Sequence, residues 1–176
     1  WPGVLETTAA DIKGLHQSAL TSFNECIESL LSARLREGDA LVNLIQQRCA
    51  EVLKLSEQAD KIVPEAIAAQ RTHLLNKLNE LIENPDTERL EQEMVLLAQK
   101  ADIAEETDRL RTHIDEVLNI LQREEPIGRR LDFMMQELNR EANTLSSKAM
   151  RTELTRIAVD LKVLIEQMRE QVQNIE

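Results

Sequence analysis

The sequence predicts an all-α protein, and three observations support this fold class. Only 4 of the 176 residues are Gly and 4 are Pro, so few positions interrupt helices. Aromatic residues make up 2% of the chain while apolar residues reach 42%, as in helices that pack through Leu, Ile and Ala. Apolar residues also recur at gaps of three and four, the spacing of one helix face. We expect long antiparallel helical arms, a coiled-coil-like hairpin, packed with a shorter C-terminal helical bundle.

Residues 37–122 are predicted to form the hairpin arm, because apolar residues at gaps of three and four mark a coiled-coil-like seam. Pro64 predicts a kink or a break, since proline removes one helical hydrogen bond and clashes with the preceding turn. Pro85, in the stretch ENPDTE, predicts the turn between the two arms. The returning helix is expected from about Thr87 to Gln122. Near Asp102 the apolar pattern changes phase, which predicts a bend or a change of packing partner.

Two shorter helical regions are predicted beside the hairpin. Residues 1–36 hold an N-terminal segment whose helix begins near Ala9, and 37–39 are a joint or part of a longer helix. Residues 123–176 hold a helical pair that follows the turn EEPIG. Three neighbouring residues in the first helix of this pair are expected in the core: Phe133, Met134 and Met135.

Charge and motifs narrow the possible functions. The net charge of −11 disfavours tight nucleic-acid binding, which depends on Lys and Arg. It is compatible with carboxylates that hold a divalent metal and fits a plain soluble helical protein at least as well. The sequence has no HExxH, CxxC or P-loop motif, which argues against P-loop nucleotide hydrolysis and acyl transfer. Cys26 and Cys49 are expected to be reduced, partly buried thiols. With no visible signal peptide or apolar run of about 20 residues, we expect a cytoplasmic protein with no membrane contact.

The stretch ADIAEETDRLRTH places four chemically active side chains at helical spacing. Asp102, Glu106, Arg109 and His113 follow one another at gaps of four, three and four, which predicts one shared helix face. The carboxylates suit a divalent metal, Arg109 suits a phosphate, and His113 suits acid–base catalysis near neutral pH. The alternative is a solvated helix face on which Glu106 and Arg109 form an ordinary ion pair.

A second polar stripe lies in GRRLDFMMQELNREANTLSSKA. Arg and Asn side chains can contact phosphates and base edges of nucleic acids. The alternative is a polar seam buried between helices, with Asn139 and Asn143 hydrogen-bonded to a neighbour. The stripe consists of Arg129, Asp132, Gln136, Asn139, Arg140 and Asn143.

Three motifs carry a family resemblance. The stretches RLEQEMVLLAQKADIAEETDRLRTH, GRRLDFMMQELNREANTLSSK and LKVLIEQMREQVQNIE resemble the C-terminal region of the bacterial YicC family, also called YloC. The match is strong over residues 88–176 and looser over 1–85. The opening WPGV resembles the junction with the family's N-terminal domain, so we expect a fragment of a longer polypeptide. If the family's N-terminal domain supplies part of the RNA site, the present chain would be inactive without it.

The resemblance implies a metal-dependent endoribonuclease that cleaves RNA phosphodiester bonds and acts in bacterial RNA turnover and stress responses. It implies Mn²⁺, with Mg²⁺ as the alternative, a ring-like homo-hexamer in the cytoplasm, and association with other RNA-decay enzymes. The competing interpretations are a non-catalytic oligomeric RNA-binding adaptor and a helical assembly module without RNA contact.

The resemblance also assigns roles to residues of the two stripes. His113 would transfer a proton, and Glu106 and Arg109 would assist catalysis. Three carboxylates would hold the metal: Asp102, Glu106 and Glu137. The expected RNA-binding residues are Arg129, Arg130, Asn139, Arg140, Asn143 and Lys148.

Overall fold

The computed structural model describes residues 12–81 and 87–173, the side chains of 78–81 and 87 excepted. This part of the chain holds no strand, which confirms the predicted all-α class. None of the helices in these ranges has the apolar length that a membrane-spanning segment requires. Its helices are α1 Ile12–Leu81, α2 Thr87–Ala101, α3 Ala104–Ile120, α4 Gly128–Lys148 and α5 Thr152–Val172.

Helix α1 runs without interruption through residues 37–39 and through Pro64, so the predicted break at this proline is wrong. The residues just before the proline, Ile62 and Val63, pack against the core. Tertiary packing of this kind supplies most of a helix's stability and outweighs one lost backbone hydrogen bond. The predicted turn around Pro85 lies outside the described residues.

Helices α1 and α2 pair as an antiparallel hairpin. The Arg71 guanidinium on α1 forms an ion pair with Glu91 on α2. Ile62, earlier on α1, lines a small cavity together with Ala101, later on α2. Because moving back along α1 corresponds to moving forward along α2, the two helices run in opposite directions, as the sequence predicted.

The bend predicted near Asp102 is a complete interruption between α2 and α3. The side chain of Ile103, only 2% exposed, is buried in the core at this point. The Asp102 Oδ1 atom accepts a hydrogen bond of 3.0 Å from the backbone N–H of Ala104. This bond satisfies one of the N–H groups that the first turn of a helix leaves without a partner. Asp102 therefore precedes α3, and its predicted place on the same helix face as Glu106 is wrong.

The chain divides into two compact units, residues 1–41 and residues 42–176. In the first unit, every described side chain from 12 to 40 is exposed. Apolar surface of this extent is unusual for a monomer and marks interaction sites. Its large exposed apolar residues are Ile12, Leu15, Leu20, Phe23, Ile27, Leu30, Leu31 and Leu35.

The core of the second unit is built around α4, which contacts both α3 and α5. Buried residues recur along α4 at gaps of three and four, so one face of the helix is covered by its neighbours. Met134 and Met135 belong to this core, as expected. Phe133 does not: it is 58% exposed, and its predicted burial is wrong because its position falls outside the covered face.

An ion-paired link holds α3 to the part of α1 within the second unit. The Thr107 hydroxyl donates a hydrogen bond of 2.8 Å to Asp60, and the Arg111 guanidinium pairs with the other oxygen of the same carboxylate. The hydrogen bond to Asp60 is the main cause that raises the pKa of Arg111. The Asp60 carboxylate of α1 therefore bonds both Thr107 and Arg111, which lie one turn apart on α3.

The two cysteines differ in environment, contrary to the expectation that both are partly buried. Cys26 is exposed, whereas Cys49 is buried and its Sγ atom lies 3.9 Å from the Sδ atom of Met168 on α5. Burial raises the pKa of the Cys49 thiol to about 12, because the thiolate would be desolvated.

We expect a thiol reagent at pH 8 to modify Cys26 within minutes and Cys49 only as fast as the second unit opens, since the thiolate is the reactive form. The measurement is absorbance of the released chromophore with and without denaturant, using Cys26→Ser to isolate Cys49. The raised pKa of Cys49 also makes the free energy of unfolding depend on pH. The contribution of the buried thiol is fully present below pH 9.0, the pKa of the unfolded thiol, and is lost as the pH rises toward 12. Rapid native labelling of Cys26→Ser would contradict the burial of Cys49.

Candidate functional site

One polar cluster spans the contact between α3 and α4, and its two α4 residues lie outside the polar stripe predicted for that helix. Two ion pairs cross it: Arg109 Nη1 lies 3.4 Å from Glu141 Oε1, and Lys148 Nζ lies 2.9 Å from Glu106 Oε1. Glu141 and Lys148 are two turns apart on α4, and Glu106 and Arg109 are one turn apart on α3. Of the predicted site residues, Glu106, Arg109 and Lys148 therefore share one cluster.

Glu106 occupies the buried end of this cluster and is only 5% exposed. Both of its carboxylate oxygens accept hydrogen bonds of 2.9 Å from Lys148 Nζ. The same ammonium group donates at 2.8 Å to the backbone carbonyl of Asp102. A lysine has three donors, and all three are used here. The suggested ion pair between Glu106 and Arg109 is wrong, since a buried carboxylate needs a close cation and Lys148 provides it.

Arg109 lies at the open end of the cluster and is held by two carboxylates. Its Nη2 atom lies 2.5 Å from Glu105 Oε1, and its Nη1 atom lies 3.4 Å from Glu141 Oε1. The hydrogen bond with Glu141, followed by the charge of Glu105, raises the pKa of Arg109. The guanidinium is half exposed, so it is oriented by protein groups and still reachable from solvent.

Glu141 is a site residue to which the sequence assigned no role. It is only 3% exposed, and it lies on the apolar face of α4 between Leu138 and Leu145. A carboxylate among apolar positions of an amphipathic helix requires a cation from a neighbouring element. That pattern was visible in the sequence and could have identified Glu141 as a cross-helix partner.

His113 lies one turn after Arg109 on α3 and is half buried. The spacing of three and four places Glu106, Arg109 and His113 on one face of this helix. Among the described residues, no hydrogen bond or ion pair engages the imidazole, so both ring nitrogens are open to a hydrogen-bond partner.

The three predicted metal ligands do not form a metal site. Within the described residues, no group of three or more His, Cys, Asp or Glu side chains is placed to hold a metal ion. Asp102 precedes α3, and Glu106 already shares both oxygens with Lys148. Glu137 is half buried on α4 and is not gathered with them. The predicted trio therefore does not fit a divalent metal in this arrangement.

Most of the predicted RNA-binding residues are exposed on α4 and take no part in the ion-paired cluster. Arg129, Arg140 and Asn143 are exposed, and in the described part of the chain the two arginines form no ion pair. Arg130 is exposed and pairs with Glu125 at 3.2 Å. Lys148 is the exception, because its ammonium group is committed to Glu106.

The remaining polar residues of α4 bond within the helix or toward α5. Asn143 donates a hydrogen bond of 3.4 Å to Asn139 one turn earlier, so the suggested buried seam bonded to a neighbouring helix is wrong. Asp132 lies 3.7 Å from Arg169 on α5. The second stripe thus divides between solvent and the α4–α5 contact.

Comparison with known proteins finds a matching family model and related sequences. A family model described as "Endoribonuclease YicC-like, C-terminal" matches residues 59–176. A Haemophilus influenzae protein named "Probable endoribonuclease YicC" is 46% identical over 176 residues, all of this chain and 61% of the relative. A Clostridioides difficile protein with the same name is 35% identical over 160 residues, 87% of this chain and 55% of the relative. The chain therefore spans less than two thirds of the length of these two relatives.

Proposed function

The chain belongs to the YicC-like endoribonuclease family, and on that premise we propose that it is the helical part of an enzyme that cleaves RNA internally. The observation that carries this proposal is the contact between the family's motif residues on α3 and α4. Arg109 and His113 lie on one face of α3, beside an arginine-bearing helix whose outer guanidinium groups are open to solvent.

In the proposed reaction the chain's own residues bind phosphates and move a proton. Arg129 and Arg140 hold the RNA backbone through charge-assisted hydrogen bonds to phosphate oxygens. Arg109, fixed by Glu105 and Glu141, stabilises negative charge at the reacting phosphate. His113 takes the proton from the attacking oxygen or gives one to the leaving oxygen.

We also propose that the reaction depends on a divalent metal, Mn²⁺ or Mg²⁺, as the family resemblance implies. When bound, such a metal would lower the pKa of a coordinated water or polarise a phosphoryl oxygen. The described carboxylates do not assemble its site, so no step of the reaction is assigned to it.

The test is cleavage of an RNA of defined sequence, labelled at both ends, by the full-length protein. An endoribonuclease releases two shorter labelled fragments, whereas an exonuclease shortens one end progressively. Parallel reactions contain Mn²⁺, Mg²⁺ or a chelator, and the proposed metal dependence requires that the chelator stops cleavage. Cleavage that continues unchanged in the chelator would remove the metal from the proposal.

One observation favours a second candidate function, an RNA-binding adaptor without catalysis. Both buried carboxylates of the α3–α4 cluster have cationic partners, as expected if the cluster only holds the helices together. RNA that is bound but left intact in every metal would support this function and exclude the nuclease.

We further propose a homo-oligomer, which the resemblance predicts as a hexamer, and a partnership with other RNA-decay enzymes. The exposed apolar residues of the first unit support an assembly, because such surface is normally covered by a partner. The mass of the full-length protein in solution tests the number of subunits.

A further inference from the structure

An open cavity of about 340 Å³ lies between α3 and α4 at the end opposite the Glu106–Lys148 pair. Phe133 forms part of its lining and keeps 58% of its surface exposed. The buried residues Ile120 and Met134 line the cavity beside it. An aromatic ring at the mouth of an apolar depression offers a flat face on which another ring can stack.

Two arginines lie next to this ring. Arg129 and Arg130 precede Phe133 by four and three residues, which places all three on neighbouring positions of one helix face, and both arginines line the cavity. Arg129 forms no ion pair among the described residues, and Arg130 forms one exposed pair with Glu125. An exposed pair of this kind contributes little and is easily exchanged for another anion.

The acidic residue of the cavity does not cancel this positive charge. Glu116 lines the cavity, and its carboxylate lies 3.5 Å from the Arg123 guanidinium. The cavity therefore combines an aromatic face, an apolar floor and two arginines. Proteins that bind single-stranded nucleic acid use this combination, with bases stacked on aromatic rings and phosphates held by cations.

We propose that this cavity, the Phe133 pocket, holds one unpaired nucleotide of an RNA strand. The base stacks on the Phe133 ring while Arg129 and Arg130 contact the adjoining phosphates. This inference rests on the proposed function, because it names a subsite for the same substrate. Stacking does not distinguish bases strongly, so the pocket selects single-stranded over paired RNA rather than one sequence over another.

The test measures RNA affinity and not cleavage, so the Phe133 pocket can be contradicted independently of the nuclease proposal. A fluorescein-labelled, unstructured 12-nucleotide RNA and the same RNA paired with its complement are titrated with full-length protein in a chelator. The variants are Phe133→Ala, Phe133→Leu and Phe133→Trp. Val159→Ala is the matched control, because Val159 is an exposed apolar residue of α5 that lines none of the described cavities.

We expect Phe133→Ala and Phe133→Leu to weaken single-strand binding about 10-fold or more, the effect of losing one base–aromatic stack. Phe133→Trp should retain the affinity, and the added tryptophan emission should be quenched by RNA. Duplex binding should change far less in every variant. Val159→Ala should match the parent. All variants should melt at the parent temperature, because Phe133 is exposed.

Three results would overturn the proposal. The first is parent affinity in both Phe133→Ala and Phe133→Leu. The second is an equal loss of affinity for single-stranded and duplex RNA, which would show that Phe133 does not stack on an unpaired base. The third is a smaller assembly mass in Phe133→Ala at unchanged RNA affinity, which assigns the ring to a contact between subunits. A parent protein that binds the single strand but cleaves no RNA would contradict the nuclease proposal alone. The Phe133 pocket would then still be tested by comparing the RNA affinities of the parent and the Phe133 variants.

Discussion

Lys148→Met is expected to lower the free energy of unfolding by about 3 kcal/mol, because it leaves the buried Glu106 carboxylate without its cation. Because Lys148 is partly exposed, solvent reaches the pair and lowers the cost of leaving the Glu106 carboxylate unpaired. The expected loss is therefore at the lower end of the range for breaking a buried ion pair. For a chain of this length the melting temperature should fall by about 6–12 °C. The measurement is thermal and urea unfolding followed by circular dichroism.

Two further variants show whether the lost charge pair is the cause. Glu106→Gln combined with Lys148→Met should recover at least about half of the lost stability, since a neutral amide costs less to bury than an unpaired carboxylate. Lys162→Met is the matched control, because Lys162 is half buried and forms no ion pair among the described residues. Parent stability in Lys148→Met, or equal losses in Lys148→Met and Lys162→Met, would show that the pair does not stabilise the α3–α4 contact.

The same variant separates two roles for Lys148, which the resemblance placed among the RNA-binding residues. All three ammonium donors are used by Glu106 and Asp102, so RNA affinity below the melting temperature should stay at the parent value. A large loss of affinity at a temperature where the variant is folded would return Lys148 to the RNA site.

His113→Ala is expected to reduce RNA cleavage by at least about a hundredfold, the scale of a general acid or base. The imidazole lies on the face of α3 that carries Arg109 and has no competing partner among the described residues. Initial cleavage rates are compared for full-length parent and variant, purified identically, at saturating RNA. Unchanged RNA affinity and melting temperature would show that the loss lies in the chemical step.

His73→Ala provides the control for this experiment, since His73 is an exposed histidine of α1 outside the α3–α4 cluster. It should cleave at the parent rate. Equal rates in parent and His113→Ala would remove His113 from the mechanism and indicate a site elsewhere or a contaminating nuclease.

The apolar pattern along the sequence predicted where most helices lie, but not where packing against other helices interrupts a helix or keeps it continuous. The phase change near Asp102 indicated the right position but predicted a bend where the helix in fact ends and a new one begins. An apolar face that shifts phase must change the surface it packs against. The break predicted as one of the two outcomes at Pro64 is wrong, because the packing of Ile62 and Val63 is a property of the folded core and not of the proline.

By itself, the sequence determined the all-α class, the antiparallel hairpin and the family, because these follow from periodicity and from motifs along the chain. Only the tertiary structure decided which charges are partners. Glu106 pairs with Lys148 and Arg109 with Glu141, and each pairing depends on the distance and rotation between α3 and α4. The same rotation leaves Phe133 outside the core while Met134, one residue later, is inside it. Helical spacing fixes which residues share a face, but packing against other helices fixes what that face meets.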